Sequence, residues 1–127
     1  LKVAEYSDRI SLSSSDGIAF IEESKQQPKF YFIDPPYFTK GPTLYLNLLD
    51  KNYHENLSTT LKDMNDLPWV LTYDDCTEIR KLYKGWSKIR PFSLRYSAAE
   101  RRKGKEILIV PKWISLPKTQ NSMALQW

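Results

Sequence analysis

Asp34-Pro35-Pro36-Tyr37-Phe38 gathers a carboxylate, a stiff double-proline bend and two aromatic rings in one short stretch. A side-chain oxygen and a main-chain carbonyl held still by prolines are two acceptors at a fixed separation. Such a pair can grip both N–H groups of one amine, and preorganised polar groups of this kind usually contribute more to catalysis than any other single effect. The ring that follows offers a stacking face. The plain alternative is a strand ending in a Pro-Pro turn, with Asp34 making local hydrogen bonds.

The elements around this stretch decide whether it can act. Phe30 to Ile33 is an unbroken apolar run and predicts a short strand buried on both faces. The strand must stop at Asp34, because Pro35 has no N–H and the residue before a proline is held extended. Asp34 thus lies at a strand's carboxyl end, where open α/β sheets bind ligands. Upstream, Arg9 to Ser13 alternates weakly, as a strand would, and Asp16 is an expected N-cap. The helix that follows, reaching about Ser24, would bury Ile18, Phe20 and Ile21. This order is βαβ-like and would set Asp16 on the same rim as Asp34.

Downstream, Gly41-Pro42 marks a loop, and Tyr45, Leu46, Leu48 and Leu49 are apolar enough for a core. Tyr53, Leu57, Leu61 and Met64 recur at helical spacing, with Asp50 or Asn52 as cap and His54 beside the stripe as a surface or capping residue. Trp69 to Tyr73 is the next strand. Asp75 with Glu78 fits a capping box for a helix that buries Ile79, Leu82 and Tyr83. Phe92, Leu94 and Tyr96 alternate, with Pro91 at the strand's edge, and Ile107 to Val110 forms a second strand. A loop between them would make a hairpin. That loop carries Arg101, Arg102, Lys103 and Lys105. If each neutralised one phosphate, the salt slope of a nucleic-acid complex would reach about −3.6; the alternative is a solvated hairpin tip.

Asp34-Pro35-Pro36-Tyr37 resembles the catalytic motif of amino-group DNA methyltransferases. From Tyr31 to Pro111 the order and spacing resemble the catalytic half of the DNA adenine methylase (Dam-like) N6-adenine family, and Thr72-Tyr73-Asp74-Asp75 is similar to that family's Ser-Tyr-Asp-Asp segment. The resemblance implies an α/β, Rossmann-like methyltransferase fold, later half only, with a mostly parallel sheet ending in an antiparallel hairpin. It implies an enzyme that moves a methyl group from S-adenosylmethionine to the N6 amine of an adenine flipped out of double-stranded DNA. Asp34, Pro35, Pro36 and Tyr37 would hold the amine. Asp16, with Gly17 beside it, matches the position that contacts the adenine of the methyl donor. Phe38, Tyr73, Tyr96 and Ser97 would meet the base or target strand, with Tyr73 as a wall of the base pocket, and Arg101, Arg102 and Lys103 would meet the duplex.

The family's Phe-x-Gly-x-Gly donor loop has no counterpart, since Gly17, Gly41, Gly85 and Gly104 are isolated. The chain also begins at Leu1 rather than Met. Residues 1–112 are therefore expected to be a partial catalytic domain and 113–127 a tail, with the missing upstream part of the same enzyme as a partner and the piece inactive alone. Two other readings stay open: methylation of cytosine N4 or an RNA amino group, and a non-catalytic nucleic-acid-binding or assembly module derived from the enzyme.

Composition narrows the classes. The chain has 127 residues and a net charge of +4, which permits a polyanion partner without demanding one. No apolar run approaches the ~18 residues of a membrane span. Cys76 is the single cysteine, which precludes an internal disulfide and fits a cytosolic location. With one histidine and one cysteine, no metal site is expected.

Overall fold

The structure is a computed structural model that describes residues 2–38, 51–95 and 103–117. A 3-10 segment, Lys2–Arg9, comes first, then helix α1 (Gly17–Ser24) and strand β1 (Tyr31–Ile33). Helix α2 (Lys51–Asp63), strand β2 (Trp69–Asp74), helix α3 (Thr77–Tyr83), and strands β3 (Ser87–Arg95) and β4 (Lys103–Pro111) follow. The strands form one sheet in the order β1-β2-β4-β3. β1 and β2 are parallel, with Tyr31, Phe32 and Ile33 opposite Trp69, Val70 and Leu71. β2 and β4 are antiparallel, as are β3 and β4.

A mostly parallel sheet is therefore not what these strands make. Among the described residues one pairing is parallel and two are antiparallel, so the sheet is mixed. The hairpin causes this, because its second strand, not its first, sits against β2. The first strand is left at the outer edge, where Pro91 can stand opposite Ile107 in mid-strand with its missing N–H turned to the free side.

Period-two alternation along β2 builds the core. Trp69, Leu71 and Tyr73 are 0% exposed, and they cluster with Leu57 and Leu61 of α2, Met64 just after it, Ile79 and Tyr83 of α3, and Ile107 and Ile109 of β4. Helix α3 closes at Lys84, whose N–H bonds to the Arg80 carbonyl, and Gly85 turns the chain into β3 at φ +92, a conformation that favours glycine.

Three local expectations give way. The apolar run of β1 is not buried on both faces: Tyr31 is 7% exposed, but Phe32 is 68% and Phe30 62% exposed. Among the described residues β1 stands at the edge of the sheet, and the described helices cover the face that Tyr31 shares with Trp69. Residues 9–13 form no strand. Leu12 is 94% exposed, so the alternation has no core to serve, and Ser13 Oγ accepts the Ser15 N–H while its hydroxyl donates to Ser15 Oγ, local bonds that compete with pairing. In α1, Ile21 is buried and Ile18 half-buried three residues before it, while Phe20 falls off that stripe and is 46% exposed. The residues 39–50, including Gly41, Tyr45 and the candidate cap Asp50, lie outside the described set. Asn52 is already inside α2 and so does not cap it. Trp113, expected to pack back, is 56% exposed yet donates its indole N–H to the Asn65 carbonyl at 2.7 Å. Lys88 and Arg90 of β3 hold the carbonyls of Ile114 and Pro117.

Candidate functional site

Parallel register explains the geometry at the carboxyl ends of β1 and β2. Ile33 faces Leu71 across the ladder, and one step further Asp34 falls beside Thr72. Alternation puts both on the sheet face opposite Tyr73. The Thr72 hydroxyl donates to Asp34 Oδ1 at 2.6 Å, and lies 3.5 Å from the Ile33 carbonyl. Asp34 itself is exposed, Pro35 behind it is buried, and Pro36, Tyr37 and Phe38 are half-buried. The acid therefore stands at the surface on a bend whose proline side is anchored.

The rest of the bend is held from β2 as well. The buried carboxylate of Asp74 accepts the Phe38 N–H at 3.0 Å. The Tyr37 ring lies tilted over Tyr73, with centroids 6.5 Å apart. Tyr73 is fully buried, so it supports Tyr37 from behind and is not itself an exposed pocket wall. Burial, then the neighbouring Tyr83, Tyr53 and Asp74, push its phenol far above the ordinary range, so it stays protonated. Its oxygen shares a 2.7 Å hydrogen bond with His54 Nδ1. His54 is 2% exposed, not a surface residue, and meets Phe38 edge-on at 5.2 Å.

Asp16 caps α1 as expected: its Oδ1 accepts the N–H groups of Ile18 and Ala19 at 3.0 and 3.1 Å. Its exposed carboxylate and burial together raise the Tyr53 phenol above its usual range, burial being the larger cause. A Cβ on Gly17 would lie 3.6 Å from the Tyr53 hydroxyl oxygen. Tyr53 in turn meets His54 edge-on at 5.7 Å. The start of α1 thus connects to the Asp34 bend through Tyr53, His54 and Phe38, without a direct bond between the two acids.

Asp75 departs from its expected role. The N-cap of α3 is Cys76, with no side-chain capping bond, and Asp75 forms a two-point pair with Arg80, at 2.5 Å from Nε and 2.9 Å from Nη2. The guanidinium's hydrogen bonds hold the Asp75 carboxyl below the usual range. The Asp75 N–H bonds to the Lys105 carbonyl at 3.0 Å, which ties the start of β4 to this same rim. Arg95 and Lys103 are register partners at the end of the hairpin next to the segment that joins β3 to β4, so Lys103 and Lys105, expected in the loop, belong to β4. Tyr96, Ser97, Arg101 and Arg102 lie outside the described residues.

Sequence reasoning named Thr72, Asp74 and His54 but gave none of them a part in holding the Asp34 bend. His54 could have been found, since positions 54, 57, 58 and 61 share one helical stripe and all four are buried. Thr72 could not, because its partner follows from register. Among the described residues no group of three or more His, Cys, Asp or Glu side chains could hold a metal ion, and no helix is long and apolar enough to cross a membrane.

A family model for D12 class N6 adenine-specific DNA methyltransferases matches residues 2–101. The match takes in α1 with its Asp16 cap as well as the stretch from β1 through β3. No curated protein matches the chain.

Proposed function

This chain belongs to the D12 class N6 adenine-specific DNA methyltransferase family, and from that membership we propose that the Asp34 bend presents a flipped adenine in DNA for methylation at N6. The observation that carries this reading is an exposed carboxylate at a strand's carboxyl end, fixed by a 2.6 Å hydrogen bond and followed by a half-buried ring.

The exocyclic amine of adenine is a poor nucleophile, because its lone pair is delocalised into the ring. Asp34 and the Pro35 carbonyl would each accept one N–H, which turns the nitrogen more tetrahedral and frees the lone pair. Asp34 need not take a proton beforehand, since the amine becomes acidic only once it carries the methyl group. Tyr37 would stack on the extruded base, an interaction worth roughly 1–3 kcal/mol, against an unstacking cost of a few kcal/mol. Phe38 anchors the bend through its N–H and ring and would face the base only at its margin. Tyr73 and His54 keep Tyr37 and Phe38 in place. Pro36 stiffens the bend.

S-adenosylmethionine would supply an electrophilic methyl group on a sulfonium when bound. Two features of this chain fit such a ligand. The Asp16 carboxylate is exposed and caps its helix through Oδ1 alone, which leaves Oδ2 for a ligand donor, with Gly17 leaving room beside it. The electron-rich face of Tyr37 suits a nearby cation. We read the β1–α2–β2 crossover, with its parallel strands, as part of a Rossmann-like sheet. Double-stranded DNA would meet this rim through the segment that joins β3 to β4 and the first residue of β4, with Arg101, Arg102 and Lys103 on phosphates and Tyr96 and Ser97 near the target strand.

The test is Asp34→Ala in the full-length protein. Methyl transfer to DNA adenine should fall about 10²- to 10³-fold or more while DNA affinity stays within a few-fold. An unchanged rate would remove the reading.

A further inference from the structure

We propose that Thr72 is a positioning residue for Asp34, one that selects which carboxylate oxygen meets the target amine. The inference rests on the role given to Asp34 above and adds a second residue to it.

A carboxylate on an exposed bend can rotate about its Cβ–Cγ bond, and either oxygen can then point to the substrate. In this chain Oδ1 is taken: the Thr72 hydroxyl donates to it at 2.6 Å, the short length of a charge-assisted bond. The competing acceptor of that one proton, the Ile33 carbonyl, is at 3.5 Å and at the limit of a hydrogen bond. Oδ2 is thus the oxygen left for an incoming N–H, and its direction is fixed by the bond to its twin. The donor sits on β2, the strand in direct ladder contact with β1. It is as rigid as the sheet. In this role Thr72 acts through Asp34.

Thr72→Val and Thr72→Ser separate this role from packing. Valine keeps the shape and removes the hydroxyl, whereas serine keeps the hydroxyl and removes a methyl. The proposal expects Thr72→Val to lower kcat about 10-fold, with KM for DNA within 2-fold and at most a small fall in melting temperature, because the bond it removes is solvent-exposed. Thr72→Ser should stay within about 3-fold of the parent in kcat. In an Asp34→Ala background, Thr72→Val should add nothing, because its partner is gone. The opposite ranking, valine tolerated and serine impaired, would overturn the proposal in favour of packing. If Asp34→Ala abolishes transfer and Thr72→Val leaves kcat unchanged, the positioning role fails and the Asp34 reading survives. If Asp34→Ala is itself silent, both fail.

Discussion

β1 and β2 run side by side and both end in acids, yet the two ends are built differently. At the end of β2, Asp74 is 4% exposed and accepts the Phe38 N–H, and Asp75 is locked to Arg80 by two hydrogen bonds. At the end of β1, Asp34 is exposed and held by one neutral hydroxyl. The carboxylates of β2 are engaged in holding the structure together. That of β1 is oriented but not neutralised, which is the state a group needs if it is to act on something else. Neighbouring positions with the same chemistry can thus be told apart by how completely the protein satisfies them.

Substitutions should divide along the same line. The largest effect is expected on activity from Asp34→Ala, with stability within about 0.5 kcal/mol of the parent by chemical denaturation, because few native contacts are lost. Asp74→Ala should do the reverse in kind: it leaves a Phe38 N–H without its acceptor and should cost about 1–3 kcal/mol of stability, loosening the bend as well. Tyr73→Phe removes the hydroxyl from His54 Nδ1 in the core and should cost about 1–2 kcal/mol in the same assay. The smallest effect belongs to Asp75→Asn. Arg80 is 41% exposed at its side chain, so the pair is screened by water and should be worth less than about 1 kcal/mol. Its sign with pH is fixed. The folded carboxyl is held below its unfolded value, so the contribution is present above the ordinary carboxylate range and is lost as pH falls through the depressed folded value. A stability difference between parent and Asp75→Asn that grew on acidification would break that assignment.

The bend at Asp34, the stripe of α2 and the β3–β4 hairpin were all legible in the chain, because each rests on local chemistry: a proline without an N–H, a helical period, an alternation. What pairs with what was not. The apolar run of β1 carries no mark that one of its faces would lie open, since Phe32 looks no different from Tyr31 until the sheet's edges are known. The same holds for β4 entering between β2 and β3. Asp75 and Glu78 have the spacing of a capping box, but Arg80 offered Asp75 a two-point charged partner, which a backbone N–H could not match. At the site, the acid and the ring were visible as residue types. Thr72 and Asp74, which hold them, are reached only through parallel register.

The central claim is that the β1 acid acts on a substrate and the β2 acids hold the fold. Single-turnover methyl transfer on preformed protein–DNA complexes tests it most directly, with Asp34→Ala and Asp75→Asn measured side by side in the full-length protein. The account predicts a loss of at least about 10²-fold for Asp34→Ala and a rate within about 3-fold of the parent for Asp75→Asn. Equal losses in the two variants, or a parent-like rate for Asp34→Ala, would contradict it.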